Sequence, residues 1–235
     1  MSFCLAQAVC AAAAAHWTNS SMKPNVTTIV SRPFGENTYV IWLEGRNDCL
    51  VVDPGLEPQK IISAIQSRGL APAAFLITHG HSDHIGGNGA LKSSWPDCPI
   101  VIGASEAAKL TDPVQNLSAG FGVPITSPPA DRLVRDGETI DYAGFTLEVR
   151  DIPGHSSGHV VYVWLGDPVM VFGGDVLFSG SIGRTDFPDG SYEQLAAGIR
   201  KKLFTLPEST IVLAGHGPRT TIGIEKRSNP FVGET

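Results

Sequence analysis

The sequence predicts an α+β domain in which strands outnumber helices. Short apolar or alternating runs of strand length recur from residue 26 to residue 213, and a few short stretches between them carry apolar residues at helical spacing. No linker or composition shift divides the chain after Met22, so residues 22–235 are expected to form a single domain, with residues 1–21 as an extension outside it. At 235 residues the chain is long enough to bury a substantial core, and 26 glycines against 17 % charged residues fit a compact, tightly turned enzyme.

Three strand-like runs, 26–32, 38–43 and 49–52, form a meander separated by Gly35-Glu36-Asn37 and Glu44-Gly45-Arg46-Asn47. The meander stops at Asp53-Pro54-Gly55, where an aspartate reads as a turn former. Residues 59–68 place Ile61, Ile62 and Ile65 on one helical face, with Gly69 as the stop. An apolar strand follows at 73–77, then a short helix from about Gly86 that ends before Pro96, and a strand at 100–103. Residues 105–110 read as a short helix with Ser105 as N-cap. Residues 112–130, rich in Pro, Gly and Ser, read as a surface loop or flap over the site. Strands resume at 133–134, 139–142 and 145–151, and a hairpin is expected from 159–165 and 169–172 around Gly166-Asp167-Pro168. An amphipathic helix at 192–204, a last strand at 211–213 and a short helical tail complete the chain.

The chemistry concentrates directly behind the strand at 73–77, in Thr78-His79-Gly80-His81-Ser82-Asp83-His84. In an extended chain, residues two apart point to the same side, so His79 and His81 can converge on one metal ion. Asp83 and His84 follow at the turn into a helix and point elsewhere, which suits a second ion nearby. Imidazole and carboxylate are ligands of zinc, iron and manganese. A polar surface loop would need three imidazoles and a carboxylate in this place by chance. Three further stretches share one arrangement, an apolar strand, a tight Gly or Pro turn, then a ligand-type side chain: Asp151 to His155, Val171 to Asp175 and Val212 to His216. Taken singly, these read equally well as a turn histidine, a capping aspartate and a surface histidine. His159 reads as a packing or support residue beside the site, and His16 as inert.

Composition excludes other classes. The net charge of −6 argues against nucleic acid or an anionic membrane as the main partner. No stretch reaches the roughly 20 apolar residues of a membrane-spanning helix. The cysteines Cys4, Cys10, Cys49 and Cys98 form no C-x-x-C and no disulfide framework, which fits a reducing, cytoplasmic setting. Residues 1–15 are apolar and alanine-rich but have no Lys or Arg ahead of the apolar part, so a dispensable extension is favoured over a signal peptide, and Met22 is an alternative start. Gly173-Gly174 and Gly180 are followed by no Lys-Ser/Thr pair, which excludes a phosphate loop.

The histidine loop resembles the T-H-x-H-x-D-H motif of the metallo-β-lactamase superfamily at every fixed position. The resemblance implies a four-layer αββα sandwich. It also implies His79, His81 and His155 at a first metal, Asp83, His84 and His216 at a second, and Asp175 bridging the two, with Asp83 and Asp175 as catalytic residues. Two divalent ions are implied, zinc first, with iron and manganese as alternatives. Asp53 would then support the histidine loop as well as form its turn. β-Lactamases of this superfamily generally carry cysteine where Asp175 stands, which argues against that activity.

Further runs resemble the glyoxalase II-like hydroxyacylglutathione hydrolases: Phe34-Gly35-Glu36-Asn37-Thr38-Tyr39, Gly174-Asp175-Val176-Leu177-Phe178, Gly180 to Asp186 and Gly215-His216-Gly217-Pro218. The implied activity is hydrolysis of a small-molecule thioester such as S-lactoylglutathione. Full-length glyoxalase II carries a C-terminal helical domain for which this chain has no room, so the compact bacterial type fits better. Arg184 lies where these enzymes tend to place a basic residue facing an anionic substrate, and a surface ion pair is an equal reading. Persulfide dioxygenases share the Gly183-Arg184-Thr185-Asp186-Phe187 run and imply instead a single iron on His79, His155 and Asp175. Lactonase chemistry belongs to the same fold.

Overall fold

The computed structural model describes residues 22–234. The expectations for residues 1–21, including Cys4, Cys10 and His16, fall outside them. The meander is β1 (Pro24–Ser31), β2 (Glu36–Leu43) and β3 (Asp48–Val52), paired antiparallel. The chain then switches to parallel pairing. After α1 (Pro58–Gln66) comes β4 (Ala71–Ile77), then α2 (Ser82–Ile85), α3 (Asn88–Ser94), β5 (Ile100–Gly103) and β6 (Arg132–Val134). These strands make one six-stranded sheet in the order β1-β2-β3-β4-β5-β6.

The second half repeats the plan. Strands β7 (Thr139–Tyr142), β8 (Phe145–Asp151), β9 (Val160–Trp164) and β10 (Met170–Gly174) run antiparallel, and a separate two-residue hairpin joins β11 (Leu177–Phe178) to β12 (Ser181–Ile182). After α4 (Tyr192–Gly198), β13 (Ile211–Ala214) adds parallel to β10, β14 (Thr220–Thr221) closes the edge, and α5 (Ile222–Ser228) follows. The sheet order is β14-β13-β10-β9-β8-β7.

The two-residue period of a strand sorts the apolar side chains into three cores. Ile41, Leu50, Leu76 and Val101 of the first sheet face Phe145, Leu147, Tyr162 and Phe172 of the second. Their sequence neighbours Val40, Val51, Phe75 and Ile102 turn outward onto Ile61 and Ile65 of α1 and Leu91 of α3. On the far side, Val161, Val163, Val171 and Val212 meet Leu195 of α4 and Ile222 of α5. The molecule is therefore a four-layer αββα sandwich, and its central strands read as unbroken apolar runs because both faces are covered. Among the described residues, no helix is long and apolar enough to cross a membrane.

Tyr162 ties the two sheets together, its hydroxyl donating across the central core to the Ile77 carbonyl at 3.0 Å. Tyr162→Phe keeps the ring but removes that buried bond. It is expected to cost about 1–2 kcal/mol of stability in urea unfolding.

The helix expected from about Gly86 is α3, and the separate turn α2 precedes it because the chain between them is pressed against the turn after β3. The Gly87 amide donates to Pro54 O at 2.8 Å, and a Cβ on Gly87 would stand 2.6 Å from Gly55 O. Two local expectations change. Residues 104–110 wind as a 3₁₀ helix, with Gly103 at the cap position and no side-chain cap, so Ser105 is not the N-cap. The tighter winding aligns Glu106 with Lys109 three residues on, and both side chains are buried. The helix at 192–204 ends α-helical at Gly198 and widens into a π-turn over Ile199–Leu203, while Leu195, Ile199 and Leu203 stay fully buried as the spacing predicts. The loop at 112–130 lies against the histidine loop, with Asn116 O accepting from the Ser82 amide at 3.0 Å and the Phe121 ring packed 5.3 Å from Phe34.

Candidate metal centre

The site sits where the ends of β3, β4, β10 and β13 meet. Asp53, directly after β3, has a φ of +49°, a left-handed conformation that aspartate tolerates. Its Oδ1 accepts the Thr78 amide and its Oδ2 the Thr78 hydroxyl, both at 2.8 Å. Oδ2 also lies 3.1 Å from His84 Nδ1. Asp53 thus stands at the turn after β3 and hydrogen-bonds Thr78 and His84 of the histidine loop.

His79, His81 and His155 bring three ring nitrogens together. His81 Nδ1 lies 3.1 Å from His79 Nε2 and 3.0 Å from His155 Nε2. A tetrahedral zinc ion about 2.0–2.1 Å from each nitrogen would hold such atoms roughly 3.3 Å apart, so the cluster is close to ligand geometry. Asp83, His84 and His216 form a second group, with Asp83 Oδ2 3.3 Å from His216 Nε2 and 3.8 Å from His84 Nε2. Asp175 stands between the groups. Its Oδ2 is 3.5 Å from both His155 Nε2 and His216 Nε2, and its Oδ1 is 3.4 Å from His84 Nε2.

The residues present fit a pair of cations. Four of the histidines have the ring nitrogen facing away from the cluster held by an oxygen: Thr78 Oγ1 for His79, Asp53 Oδ2 for His84, Arg184 O for His155 and Phe34 O for His216. An acceptor there fixes the N–H on Nδ1 and leaves the Nε2 lone pair free toward the cluster. His84 Nε2 and Asp175 Oδ1 are buried without a hydrogen-bond partner, a costly state that a shared cation removes.

The electrostatics differ between the groups. Burial and neighbouring imidazoles hold His79 well below the usual histidine range, and burial with His155 and Lys109 beside it takes His81 down to about 3. Burial likewise lowers His155. These three are neutral, which is the ligating form. In the second group burial opposes charge but is outweighed. Asp175 and Asp83 hold His84 well above its usual range, and hydrogen bonds to Asp175 and Asp83 lift His216 to about 10. Asp175 is correspondingly held far below the carboxylate range by His84 and His216 against the effect of its burial. A cation bound by His84 and His216 would displace protons from them.

His159 is fully buried, stacked on His79 at 4.6 Å, and its Nε2 accepts the Asp175 amide at 3.1 Å. It fixes the backbone of Asp175 and the ring of His79. Arg184 lies on the rim: its side chain is 69 % exposed, and its guanidinium makes a bidentate pair with Asp186 at 2.9 Å and covers the Phe187 ring at 4.7 Å. Phe187 in turn lies 5.1 Å from the His81 ring. The surface ion pair is present, and Arg184 stands at the mouth of the site.

Sequence reasoning missed a buried polar group beneath the site, made by Glu106, Lys109 and Ser156 with Asp189 beside them. A Glu and a Lys in a short helical stretch carry no signal that they face inward. An open groove of about 1060 Å³ lies against Val26, Tyr39, Trp164 and Leu213 and reaches toward the metal-site loops at Asn37 and Gly217.

The sequence profile of the metallo-beta-lactamase superfamily matches residues 31–216, from the end of β1 to His216. The chain is 42 % identical to the probable metallo-hydrolase YqgX of Bacillus subtilis, over 85 % of this chain and 93 % of that protein. It is 39 % identical to the hydroxyacylglutathione hydrolase GloC of Haemophilus influenzae, over 88 % and 98 %. Among solved structures, BLEG-1 B3 metallo-beta-lactamase superposes with a TM-score of 0.85 at 38 % identity, covering 88 % of this chain and all but 1 % of that one (99 %). TTHA1623 in a di-iron-bound form superposes at 0.77 with 35 % identity, covering 88 % and 100 %.

Proposed function

The chain belongs to the metallo-β-lactamase superfamily of metal-dependent hydrolases, and from that premise we propose that it is a binuclear thioester hydrolase acting on hydroxyacylglutathione-type substrates. One observation carries the reading: the Asp175 carboxylate lies within 3.5 Å of a histidine from each ligand group, the place of a bridge between two ions. His79, His81 and His155 would hold one ion and Asp83, His84 and His216 the other, with zinc placed first and iron or manganese as alternatives. The similarity to GloC over nearly its whole length supports the thioester substrate, and the di-iron form of TTHA1623 supports two ions. The buried free thiols Cys49 and Cys98 support a cytoplasmic setting.

When bound, such ions supply Lewis acidity and lower the pKa of water from 15.7 toward about 7. The protein's own part is to place and charge the groups around them. Asp53, Thr78 and His159 hold the ligands in orientation. The ionised Asp83 and Asp175 carboxylates face the reacting centre, where either would orient an attacking water by accepting a hydrogen bond from it. A thiolate leaving group, its thiol pKa about 8.5, needs little help from an acid. Arg184, at the mouth, is placed to meet an anionic end of the substrate by exchanging Asp186 for it.

The likeness to BLEG-1 favours one second reading, β-lactam hydrolysis, despite an aspartate at position 175. The deciding experiment is elemental analysis of protein purified without chelator, followed by a panel of S-lactoylglutathione, a cephalosporin, and glutathione persulfide with oxygen uptake. Two ions per chain and preferential thioester turnover are expected. Preferential cephalosporin turnover moves the assignment to a lactamase. A single iron with oxygen uptake on the persulfide overturns the hydrolase.

A further inference from the structure

We propose that Glu106 is a positioning residue for the His79–His81–His155 group, acting through the backbone of both loops that carry those histidines. The inference rests on reading that group as one metal site, not on the reaction the site performs.

Glu106 is fully buried, and both its oxygens are engaged. Oε2 accepts the Gly80 amide at 2.8 Å, and Gly80 is the residue between His79 and His81. Oε1 accepts the Gly158 amide at 2.8 Å and the Ser156 hydroxyl at 2.6 Å, both on the loop that begins with His155. One carboxylate therefore clamps two loops that are about 75 residues apart in sequence yet must place three ring nitrogens within a few tenths of an ångström. Lys109 Nζ lies 3.1 Å from Oε1 and 2.6 Å from Asp189 Oδ2, and it also donates to the Ser156 hydroxyl. Asp189 in turn accepts the Ser157 amide at 3.0 Å, so the same ion network holds the His155 loop at a further point. Glu106 accepts no hydrogen bond from α2, which carries Asp83 and His84, or from the turn that carries His216.

A buried ion pair is weak evidence of stabilisation, since well-packed apolar residues often serve as well. What an apolar residue could not do here is accept two backbone amides from separate loops. Only a carboxylate offers an acceptor in both directions. In Glu106→Gln an amide oxygen can replace Oε1, but the amide nitrogen then faces the Gly80 N–H, donor against donor, and the His79–His81 turn loses its anchor.

The test is cobalt(II) binding to the metal-free full chain, followed by its visible absorption, with circular dichroism as the check on folding. Wild type is expected to take up two ions. Glu106→Gln is expected to bind one of them about 10- to 100-fold more weakly while the other changes less than about threefold. Glu225→Gln is the control, because that carboxylate is equally buried but holds Gly180, Thr220 and Asn229 instead. It should leave both cobalt affinities unchanged. Should the single variant fail to fold, Glu106→Gln with Lys109→Met removes both members of the buried ion pair and is read in the same way. Unchanged affinities, or equal weakening of both ions, would overturn the clamp and leave Glu106 as general core structure. If wild type takes up only one cobalt, the binuclear reading fails by itself, and the clamp is then judged on whether Glu106→Gln weakens that ion.

Discussion

Asp175→Ala is expected to lower kcat/KM for S-lactoylglutathione at least about a thousandfold, roughly 4 kcal/mol of transition-state stabilisation. Asp175 is the group that both ligand sets share, so its loss affects both sites and not one of them. Its charge also sets the state of its neighbours. In the metal-free protein His216 is lifted to about 10, against its burial, by hydrogen bonds to Asp175 and Asp83. Asp175→Asn keeps the shape and removes the charge, so the His216 pKa should fall toward the ordinary histidine range of about 6.5, readable by NMR titration of the metal-free chain. An Asp175→Ala enzyme with near wild-type turnover and two bound ions would remove the bridging role.

Gly215→Ala is expected to be nearly as damaging although it deletes no ligand. A Cβ at Gly215 would run into Asp175 Oδ1 and stand 2.8 Å from His84 Cε1 and 2.9 Å from the Gly174 carbonyl carbon. The backbone has little room to yield. The Gly215 amide donates to Gly174 O, and Gly215 O accepts the Asn37 amide, each at 2.7 Å. Strain therefore falls on Asp175 and His84. We expect loss of at least one ion and about a hundredfold or more in kcat/KM, with strand content by circular dichroism retained. A variant with wild-type metal content and activity would show that the loops can separate without consequence, which the contact distances argue against.

Much of this was legible in the chain. The strand before Thr78 is an unbroken apolar run because β4 is covered on both faces, and the switch from that run to His79 marks the sheet edge. The three Gly- or Pro-flanked ligand candidates each follow such a run, and the structure brings the ends of all three runs together. Other features left no trace. β14 and the β11–β12 hairpin are two residues per strand, too short to show any period. The 3₁₀ winding of residues 104–110 comes from inward contacts of Glu106 and Lys109, which local propensity does not encode. The same short segment thus hid both the wrong cap at Ser105 and the clamp beneath the histidines.

Residue type and spacing determined an α+β domain and the list of ligand candidates, because hydrophobic period is a local property of the chain, and the resemblance carried by the T-H-x-H-x-D-H motif implied the family and its four layers. Only the tertiary structure decided how those candidates group. Which histidine shares Asp175, which ring nitrogen is freed by an oxygen behind it, and which buried carboxylate ties one loop to another all depend on residues far apart in sequence. Those pairings are set by how the two sheets pack, and side-chain distances across that packing are not written in any local pattern.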